Sequence, residues 1–321
     1  MRVDVAALAR GVRGADRRSV ARAITLVESR RPEHEALGLA LLGALLPSHR
    51  RSLRIGVSGP PGVGKSTLLE ALGLHLISAG LRPFVLAVDP SSQRAGGSIL
   101  GDKTRMSELA RSPRAFVRPS PSGGVSGGIS HAAGDVLLIA EAAGFSPSLV
   151  ETVGVGQAEL AVLEVVDLLL LLLEPGAGDA LQGIKRGLNE WADVVAVTKA
   201  DAARADLARQ TRGEFEAAFQ LLRGHDAPRV LAVSARDGGG VAELWRALEE
   251  RRDELEASGE LESRRSAQRK AELHRRLSQA LLARFTRDPE RAAALARAEQ
   301  QVSSGAVLAA EAVRQLLDGV G

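Results

Sequence analysis

The segment from Leu53 to Thr67 constrains the fold of this chain more than any other part of it. It reads L-R-I-G-V-S-G-P-P-G-V-G-K-S-T, with apolar residues at alternate positions before Gly59 and a leucine-rich run at helical spacing after Thr67. The alternation predicts a buried strand, and the leucine spacing predicts a helix. A strand, the pattern G-x-x-x-x-G-K-S and a helix in this order are typical of a phosphate-binding loop. An ordinary glycine-rich turn is the less favoured alternative.

The residue types in this loop suit a bound polyphosphate. The glycines leave backbone N–H groups uncovered, and the N-terminus of the following helix adds further positive dipoles. We expect Lys65 to reach the β- and γ-phosphates and the hydroxyl of Ser66 to bind Mg²⁺. The residues predicted to contact the phosphates are Gly59, Pro60, Pro61, Gly62, Val63, Gly64, Lys65, Ser66 and Thr67.

Strands and helices alternate after this segment, which predicts an α/β fold: a P-loop NTPase core with a mostly parallel central sheet covered by helices. Two amphipathic helices within 16–47 precede the core, and helical runs at 260–284 and 290–318 follow it. The predicted strands are 53–58, 83–88, 115–118, 148–153, 167–173, 194–198 and 229–233. The predicted core helices are 65–79, 104–111, 130–143, 157–165, 180–190, 202–222 and 240–256. We expect an N-terminal helical segment over 1–50, a P-loop domain over 51–257 and a C-terminal helical arm over 258–321.

The composition excludes several function classes. The chain has no cysteine, so disulfides, thiolate metal sites and cysteine catalysis are excluded, and its six histidines show no ligand spacing. The net charge of +3 is small, and the chain has no tyrosine and only 2% aromatic residues. Because proteins that bind single-stranded nucleic acid usually stack bases on aromatic side chains, we expect no nucleic-acid partner.

The longest apolar run, Leu168 to Leu173, is too short to cross a bilayer, which needs about 20 residues. It predicts a central parallel strand buried on both faces. The N-terminus is rich in Arg and Ala, but helical spacing already begins near Ser19 and leaves little sequence ahead of it for a presequence. We therefore expect a cytoplasmic protein with no membrane partner.

Polar residues follow several predicted strands at the edge where parallel sheets bind ligands. The segment Thr198-Lys199-Ala200-Asp201 selects the base. An aspartate here can accept from both N1–H and the exocyclic amine of guanine, which favours GTP over ATP. The stem of Lys199 would cover one face of the base, and Ser234-Ala235 would offer a backbone N–H to the guanine carbonyl. The alternative for Asp201 is an ordinary cap of the following helix.

Three carboxylates, Asp89, Asp102 and Glu151, are candidates for the Mg²⁺ shell, directly or through water. Hydrolysis also requires a water in line with the γ-phosphate. Glu151 and Gln157 are both candidates to hold it, and the sequence does not choose between them. The glycine-rich segment from Arg94 to Met106 suits a switch loop that contacts the γ-phosphate, with a solvated loop as the alternative.

With these residues in place, the chain resembles the methylmalonyl-CoA mutase-associated GTPase family, of MeaB/ArgK/MMAA type. The resemblance covers roughly residues 14–250. Its longest runs are G-P-P-G-V-G-K-S-T, L-A-V-D-P-S-S-Q-R-A-G-G-S-I-L-G-D-K-T-R-M, V-E-T-V-G-V-G-Q-A-E and E-P-G-A-G-D-A-L-Q-G-I-K. One departure is Thr198, where the family usually has Asn. We expect this departure to weaken affinity at most, without changing the base.

The resemblance implies a Mg²⁺-dependent GTPase that cycles between GTP and GDP, in the broad class of signal-recognition and nickel-insertion GTPases. It also implies a chaperone that gates cofactor loading and protects or reactivates an adenosylcobalamin-dependent acyl-CoA mutase. Family members are homodimers joined largely through C-terminal helices, so the arm over 258–321 becomes a dimerisation arm. Asp89, Asp102 and Glu151 become magnesium and switch carboxylates. The segment 174–185 becomes a further switch in which Asp179 and Lys185 exchange partners as the mutase binds.

Two other function classes remain open. A P-loop small-molecule kinase, such as an ArgK-like kinase associated with transport, needs an acceptor pocket and usually ATP. A metallochaperone GTPase needs a Cys/His metal site, which a chain without cysteine does not favour.

In the C-terminal third, Leu273, Leu277 and Leu281 recur every four residues and favour a partner helix. The nearby arginine and lysine pairs suggest a basic face, although such runs are usually solvated helix surface.

Overall fold

The computed structural model describes residues 3–29, 31–48, 51–89, 106–121, 132–152, 156–176 and 190–318; the side chains of 88, 89, 121 and 156–159 are outside the description. The chain forms two compact units, Met1–Arg264 and Arg265–Gly321. The first unit holds the N-terminal helices and the whole sheet, and the second is helical. The division of the chain into three parts at 50 and 257 stays a prediction.

Seven parallel strands form one sheet in the order β3-β2-β4-β1-β5-β6-β7. All seven predicted strands are present, and the α/β fold is confirmed. Their bounds are β1 Arg54–Ser58, β2 Phe84–Asp89, β3 Phe116–Pro121, β4 Ser148–Glu151, β5 Leu168–Leu173, β6 Val194–Val197 and β7 Arg229–Ala232. The strand that enters the phosphate loop, β1, therefore lies in the middle of the sheet between β4 and β5.

The helices mostly agree with the sequence pattern. Their bounds are α1 Val5–Arg13, α2 Arg17–Val27, α3 Pro32–Leu45, α4 Lys65–Ser78, α5 Ser107–Arg111, α6 Ala133–Ala142, α7 Ala205–Arg223, α8 Val241–Ala257, α9 Glu260–Thr286, α10 Pro289–Ser303 and α11 Ala309–Asp318. Helix α1 was not predicted, the region 156–164 is a 3₁₀ helix, and 309–318 is separated from α10. Of the helix predicted at 180–190, only Glu190 lies within the described residues.

The six leucines of β5 show how the sheet divides the interior. Leu169, Leu171 and Leu173 belong to one hydrophobic core, and the alternate leucines of the strand belong to the other. Because successive side chains of a strand point to opposite faces, an all-leucine strand supplies both cores at once. The first unit is thus a sheet with helices packed on both faces.

The three N-terminal helices pack on one side of the sheet, against α6. Leu8, Ile24 and Leu41, one from each helix, share a core with Val136 and Ile139 of α6. Capping explains two of the helix starts, because Asp4 accepts a hydrogen bond from the backbone of Ala7 and Asp16 does the same for Ser19. The hydrogen bonds from Ser19 lower the pKa of Asp16.

An aspartate immediately precedes each of two central strands at the amino edge of the sheet. Oδ2 of Asp167 accepts from the backbone N–H of Arg54 at 2.8 Å, while the N–H of Asp167 donates to Arg54 O at 2.8 Å. Asp193 repeats this exchange with Leu169, at 2.9 and 3.0 Å. Each carboxylate therefore replaces a backbone carbonyl at the point where strand pairing begins.

Arginines complete this edge. Nη1 of Arg264 lies 3.0 Å from Asp193 Oδ1 and 3.0 Å from the carbonyl oxygen of Asp167. Arg54 forms a two-pronged ion pair with Glu141, at 2.7 and 3.0 Å. Asp193 and Glu141 are almost fully buried, so these partners offset the cost of removing their charges from water.

In the described ranges of the chain, no helix is long and apolar enough to cross a membrane.

Candidate nucleotide-binding site

The phosphate loop, 59–64, joins β1 to α4 in the predicted arrangement. Gly59 has φ +152°, and a Cβ there would lie 2.5 Å from the carbonyl oxygen of Leu172 in β5. Gly62 and Gly64 have φ of +81° and +99°, a region that side chains disfavour. The first glycine is therefore required by space, and the other two are required by backbone conformation.

Several backbone donors in this loop are uncommitted. The N–H groups of Gly62, Gly64, Ser66 and Thr67 find no acceptor among the residues that the structure describes. The N–H of Val63 is turned back to Pro60 O at 3.3 Å. Four donors at the N-terminus of a helix form a concentrated site of positive potential, which is the arrangement that binds phosphates.

Lys65 lies over this loop. Its ammonium donates to the carbonyl oxygens of Gly59 and Pro60, at 2.7 and 3.1 Å. These bonds hold the positive charge beside the loop donors, where the sequence predicted it to meet the β- and γ-phosphates.

The end of β4 delivers a carboxylate to the start of α4. The hydroxyl of Ser66 donates to Oε1 of Glu151 at 2.9 Å, and both residues are nearly buried, at 8% and 7% exposed. Next to them, the hydroxyl of Thr152 donates to Ser58 Oγ at 2.9 Å. A hydroxyl and a carboxylate are hard oxygen donors, so Ser66 and Glu151 fit a Mg²⁺ ion.

The hydroxyl of Thr198 joins the base motif to the phosphate loop. Its Oγ1 lies 2.7 Å from the carbonyl oxygen of Val63 and 3.1 Å from that of Leu173. Thr198 is 4% exposed, so this bond is shielded from water. The first residue of the base motif therefore supplies a hydrogen-bond donor to the phosphate loop.

Lys199 has a left-handed backbone, with φ +54°. Its ammonium forms an ion pair with the carboxylate of Glu174, the residue directly after β5. The sequence assigned Lys199 to the base, and it gave no individual role to Glu174.

The carboxylate of Asp201 has no hydrogen-bond or ion-pair partner within the described ranges. The alternative role as a helix cap fails, because α7 begins at Ala205, its capping residue is Arg204, and no side chain caps it. Only the backbone oxygen of Asp201 is engaged, by the N–H of Arg204 at 2.8 Å. The half-buried carboxylate is therefore accessible to a ligand with two adjacent donors.

The loop after β7 holds a further donor in place. The N–H of Ser234 is committed to Gly239 O at 2.8 Å, but the N–H of Ala235 has no acceptor in the described part of the chain. Asp237 braces the turn by accepting from the backbone N–H of Gly239 at 3.1 Å. The hydroxyl of Ser234 lowers the pKa of Asp237, so this brace is charged at neutral pH. Of the predicted pair, Ala235 is the residue with an available donor.

Several predicted site residues lie outside the description. Asp102, Asp179 and Lys185 fall in the gaps between the described ranges, as does the switch loop 94–106 except for Met106. Asp89 ends β2 and Gln157 lies in the 3₁₀ helix, but their side chains are not described. In the described ranges there is no cluster of three or more His, Cys, Asp or Glu that could hold a metal.

The sequence assigned no individual role to Thr152 or Asp237 and placed Glu174 only at the start of a switch segment, for one shared reason. Thr152, Glu174 and Asp237 act on neighbours that are distant in sequence or fixed by loop geometry, so no spacing pattern marks them. Only their place in the chain could have marked Thr152 and Glu174 as site residues, because each follows a strand at the ligand-binding edge of the sheet.

Comparisons with known proteins agree with this geometry. The sequence model of one family, described as methylmalonyl Co-A mutase-associated GTPase MeaB, matches residues 20–290. A probable GTPase of Mycobacterium tuberculosis is 47% identical over 97% of this chain and 94% of its own. GTPase ArgK of Escherichia coli is 48% identical over 81% of this chain and 79% of its own. The mouse mitochondrial methylmalonic aciduria type A homolog is 41% identical over 94% and 76%. A solved structure named LAO/AO transport system kinase has a TM-score of 0.76 at 35% identity, covering 100% of this chain and 99% of the other.

Proposed function

The chain belongs to the methylmalonyl-CoA mutase-associated GTPase family, MeaB, and from that premise we propose that it is a chaperone of an adenosylcobalamin-dependent acyl-CoA mutase. As a member of this family it is a GTPase that binds guanine nucleotides. In the proposed cycle, GTP binding and hydrolysis gate cofactor loading and protect or reactivate the mutase.

The observation that carries the nucleotide assignment is the uncommitted carboxylate of Asp201. It stands at the same sheet edge as the phosphate loop, together with the N–H of Ala235. Two donors on the guanine edge would meet Asp201, and the guanine carbonyl would meet Ala235. Adenine offers neither that donor pair nor a carbonyl, so binding ATP would leave these polar groups unpaired at a cost in free energy.

We assign the Mg²⁺ ion to Ser66 and Glu151, with Asp89 and Asp102 completing its shell. The hydrogen bond of 2.9 Å from the hydroxyl of Ser66 to Oε1 of Glu151 supports this assignment. A carboxylate that orients this hydroxyl also lies where it can accept a hydrogen bond from metal-bound water. When bound, the ion neutralises charge on the phosphates. Either Glu151 or Gln157 would hold the attacking water, and substituting each in turn decides between them.

We also propose that the protein is a homodimer held by its C-terminal helices. Leu273, Leu277 and Leu281 lie on α9 and are 64%, 51% and 57% exposed in the single chain. An apolar stripe of this kind favours a second helical surface. The basic face suggested by the sequence is partly neutralised, because Arg275 and Arg276 both pair with Glu272. The stripe is therefore the stronger basis for association.

The mutase partner rests on the family description and on the mouse relative, whose name refers to methylmalonic aciduria. We propose that Asp179 and Lys185 form the switch that responds to this partner. A kinase acting on a small metabolite is the competing function, because one similar structure is named as a transport-system kinase.

The test is GTP turnover by the purified protein, alone and with the adenosylcobalamin-dependent mutases encoded in the same genome. We expect slow turnover alone and stimulation by one mutase, with the stimulation lost in Lys185→Ala. Arg246→Ala, which removes an exposed positive charge on α8, is the matched control and should keep it. Unstimulated turnover with every mutase would contradict the chaperone role. Transfer of the γ-phosphate to a metabolite would favour the kinase.

A further inference from the structure

We infer that Glu174 is a positioning residue for the guanine site and that it acts through Lys199. The inference rests on the proposed assignment of Lys199 and Asp201 to the base. It assigns to Glu174 the task of holding the lysine stem in place before the nucleotide arrives.

The first step concerns the backbone of Lys199. Its φ of +54° is rarely adopted by a residue with a long side chain, so the surroundings must hold it. The neighbours on both sides are fixed: the N–H of Thr198 donates to Leu173 O at 2.9 Å, and that of Ala200 donates to Val233 O at 3.2 Å. The side chain leaves the backbone in a direction set by these bonds, and its ammonium ends on the carboxylate of Glu174.

The second step concerns Glu174 itself, whose backbone is held by bonds that do not involve the lysine side chain. The residue before it, Leu173, accepts from both the N–H and the hydroxyl of Thr198. Two residues further on, the N–H of Gly176 donates to the hydroxyl of Thr211 in α7 at 2.9 Å. The carboxylate therefore stands on backbone that is tied at both ends, and it provides a fixed end point for a flexible four-carbon stem.

The third step is the consequence for binding. A free lysine stem loses rotamer freedom when it packs on a base, and a lysine already held by Glu174 has lost most of that freedom beforehand. The stem covers the face of the purine ring, whereas Asp201 reads its edge. Loss of Glu174 should therefore weaken binding of every purine nucleotide by a similar factor, without changing the preference for guanine.

The size of the effect follows from exposure. The side chains of Lys199 and Glu174 are 34% and 39% exposed, so solvent and salt screen the pair. We expect Glu174→Gln to raise the dissociation constants of GDP and of a non-hydrolysable GTP analogue about three- to fivefold at low salt, as for a half-exposed ion pair. The difference should shrink at high salt, and turnover should show a raised KM with kcat unchanged.

The experiment is a double-mutant cycle measured by titration calorimetry on the full chain. Lys199→Met keeps a stem of similar length and removes the charge. Adding Glu174→Gln to Lys199→Met should cause no further loss, because the carboxylate then has no ammonium to hold. Glu243→Gln, an exposed residue on α8, controls for the change in net charge and should bind as the parent protein does.

Three results would overturn the inference: unchanged affinity in Glu174→Gln, an equal loss in the Lys199→Met background, or a changed ratio of GTP to XTP affinity. Asp201→Asn, measured in parallel, separates this inference from the proposed function. If Asp201→Asn shifts preference toward XTP and the cycle shows no coupling, only the role of Glu174 fails. If Asp201→Asn leaves the preference unchanged, the guanine assignment fails and the inference fails with it.

Discussion

The two edges of the central sheet use similar polar side chains in opposite ways. At the amino edge, Asp167 and Asp193 each return a carboxylate oxygen to the backbone of the neighbouring strand, and Arg264 binds beside both. At the carboxyl edge, the carboxylate of Asp201 and the N–H of Ala235 have no partner among the described residues. One edge is satisfied from within the chain, and the other holds groups that a ligand would satisfy.

This difference separates stability from function. The aspartates at the amino edge are buried and already paired, whereas Asp201 and Ala235 are only half-buried, so a ligand can reach them. Substitutions at the amino edge should therefore lower the free energy of unfolding and leave nucleotide affinity intact. Substitutions at the carboxyl edge should do the reverse, and four variants test the division.

Lys65→Ala should give the largest effect at the carboxyl edge. It removes the cation beside the loop donors, and a charge-assisted contact to phosphate is about twice as strong as a neutral one. We expect GTP and GDP binding to be lost in calorimetry, with only a small fall in the thermal midpoint of the nucleotide-free protein, because Lys65 also donates to the carbonyl oxygens of Gly59 and Pro60. Near-native affinity in this variant would refute the loop assignment.

Asp193→Asn should give the largest effect at the amino edge. It leaves Arg264 and Arg251 beside a neutral amide, and breaking a buried, charged network of this kind costs about 2 to 4 kcal/mol of unfolding free energy. Denaturant unfolding measures this loss, and GTP affinity should not change. Asp206→Asn is the matched control, because its pair with Arg209 is exposed and should contribute less than about 1 kcal/mol. Similar losses of unfolding free energy in the two variants would show that the buried network at Asp193 contributes no more than an exposed ion pair.

Asp201→Asn should exchange the base preference while leaving the fold intact. It replaces one acceptor oxygen by a donor, so GTP should lose about 2 to 4 kcal/mol of binding free energy and XTP should gain affinity. Competition between GTP and XTP for the purified variant measures the exchange. An unchanged preference would show that another residue reads the base.

Thr198→Val should give the smallest effect, because it removes one hydroxyl and preserves side-chain volume. The carbonyl oxygens of Val63 and Leu173 lose that donor, and we expect the free energy of GTP binding to become less favourable by about 1 kcal/mol. This loss corresponds to a fall in GTP affinity of roughly five- to tenfold. Thr198→Ser keeps the hydroxyl and should bind as the parent protein does, so a loss in Ser equal to that in Val would exclude the proposed tie.

The sequence predicted the strands, the phosphate loop and the base motif because each rests on local pattern. Alternation marks β1, six leucines mark β5, and the positive φ of Gly62 and Gly64 follows from their place in the motif. Helix α1 was not predicted because its start is marked only by one capping aspartate, Asp4. The region 156–164 showed helical spacing but forms 3₁₀ turns, which side-chain spacing does not distinguish reliably over nine residues.

The contacts between sequence-distant residues could not be predicted in this way. Thr198 was treated as a lost amide at the base, whereas its hydroxyl is a tie to Val63. The pairing of Lys199 with Glu174 depends on the placing of β5 next to β6, which is a property of the assembled sheet. Sequence pattern identified the elements, and the tertiary fold decided which of their ends meet.

The close approach of Gly59 to Leu172 has a further consequence for the working of the molecule. The phosphate loop lies against β5 at that point, Val63 accepts a hydrogen bond from Thr198 directly after β6, and Ser66 at the start of α4 donates to Glu151 of β4. A segment held at three places by a seven-stranded sheet cannot move far when the nucleotide changes. It holds the α- and β-phosphates in a constant position, whether the γ-phosphate is present or lost. We therefore expect the loop to superimpose closely between the GTP- and GDP-bound forms, with the work of signalling left to other parts of the chain.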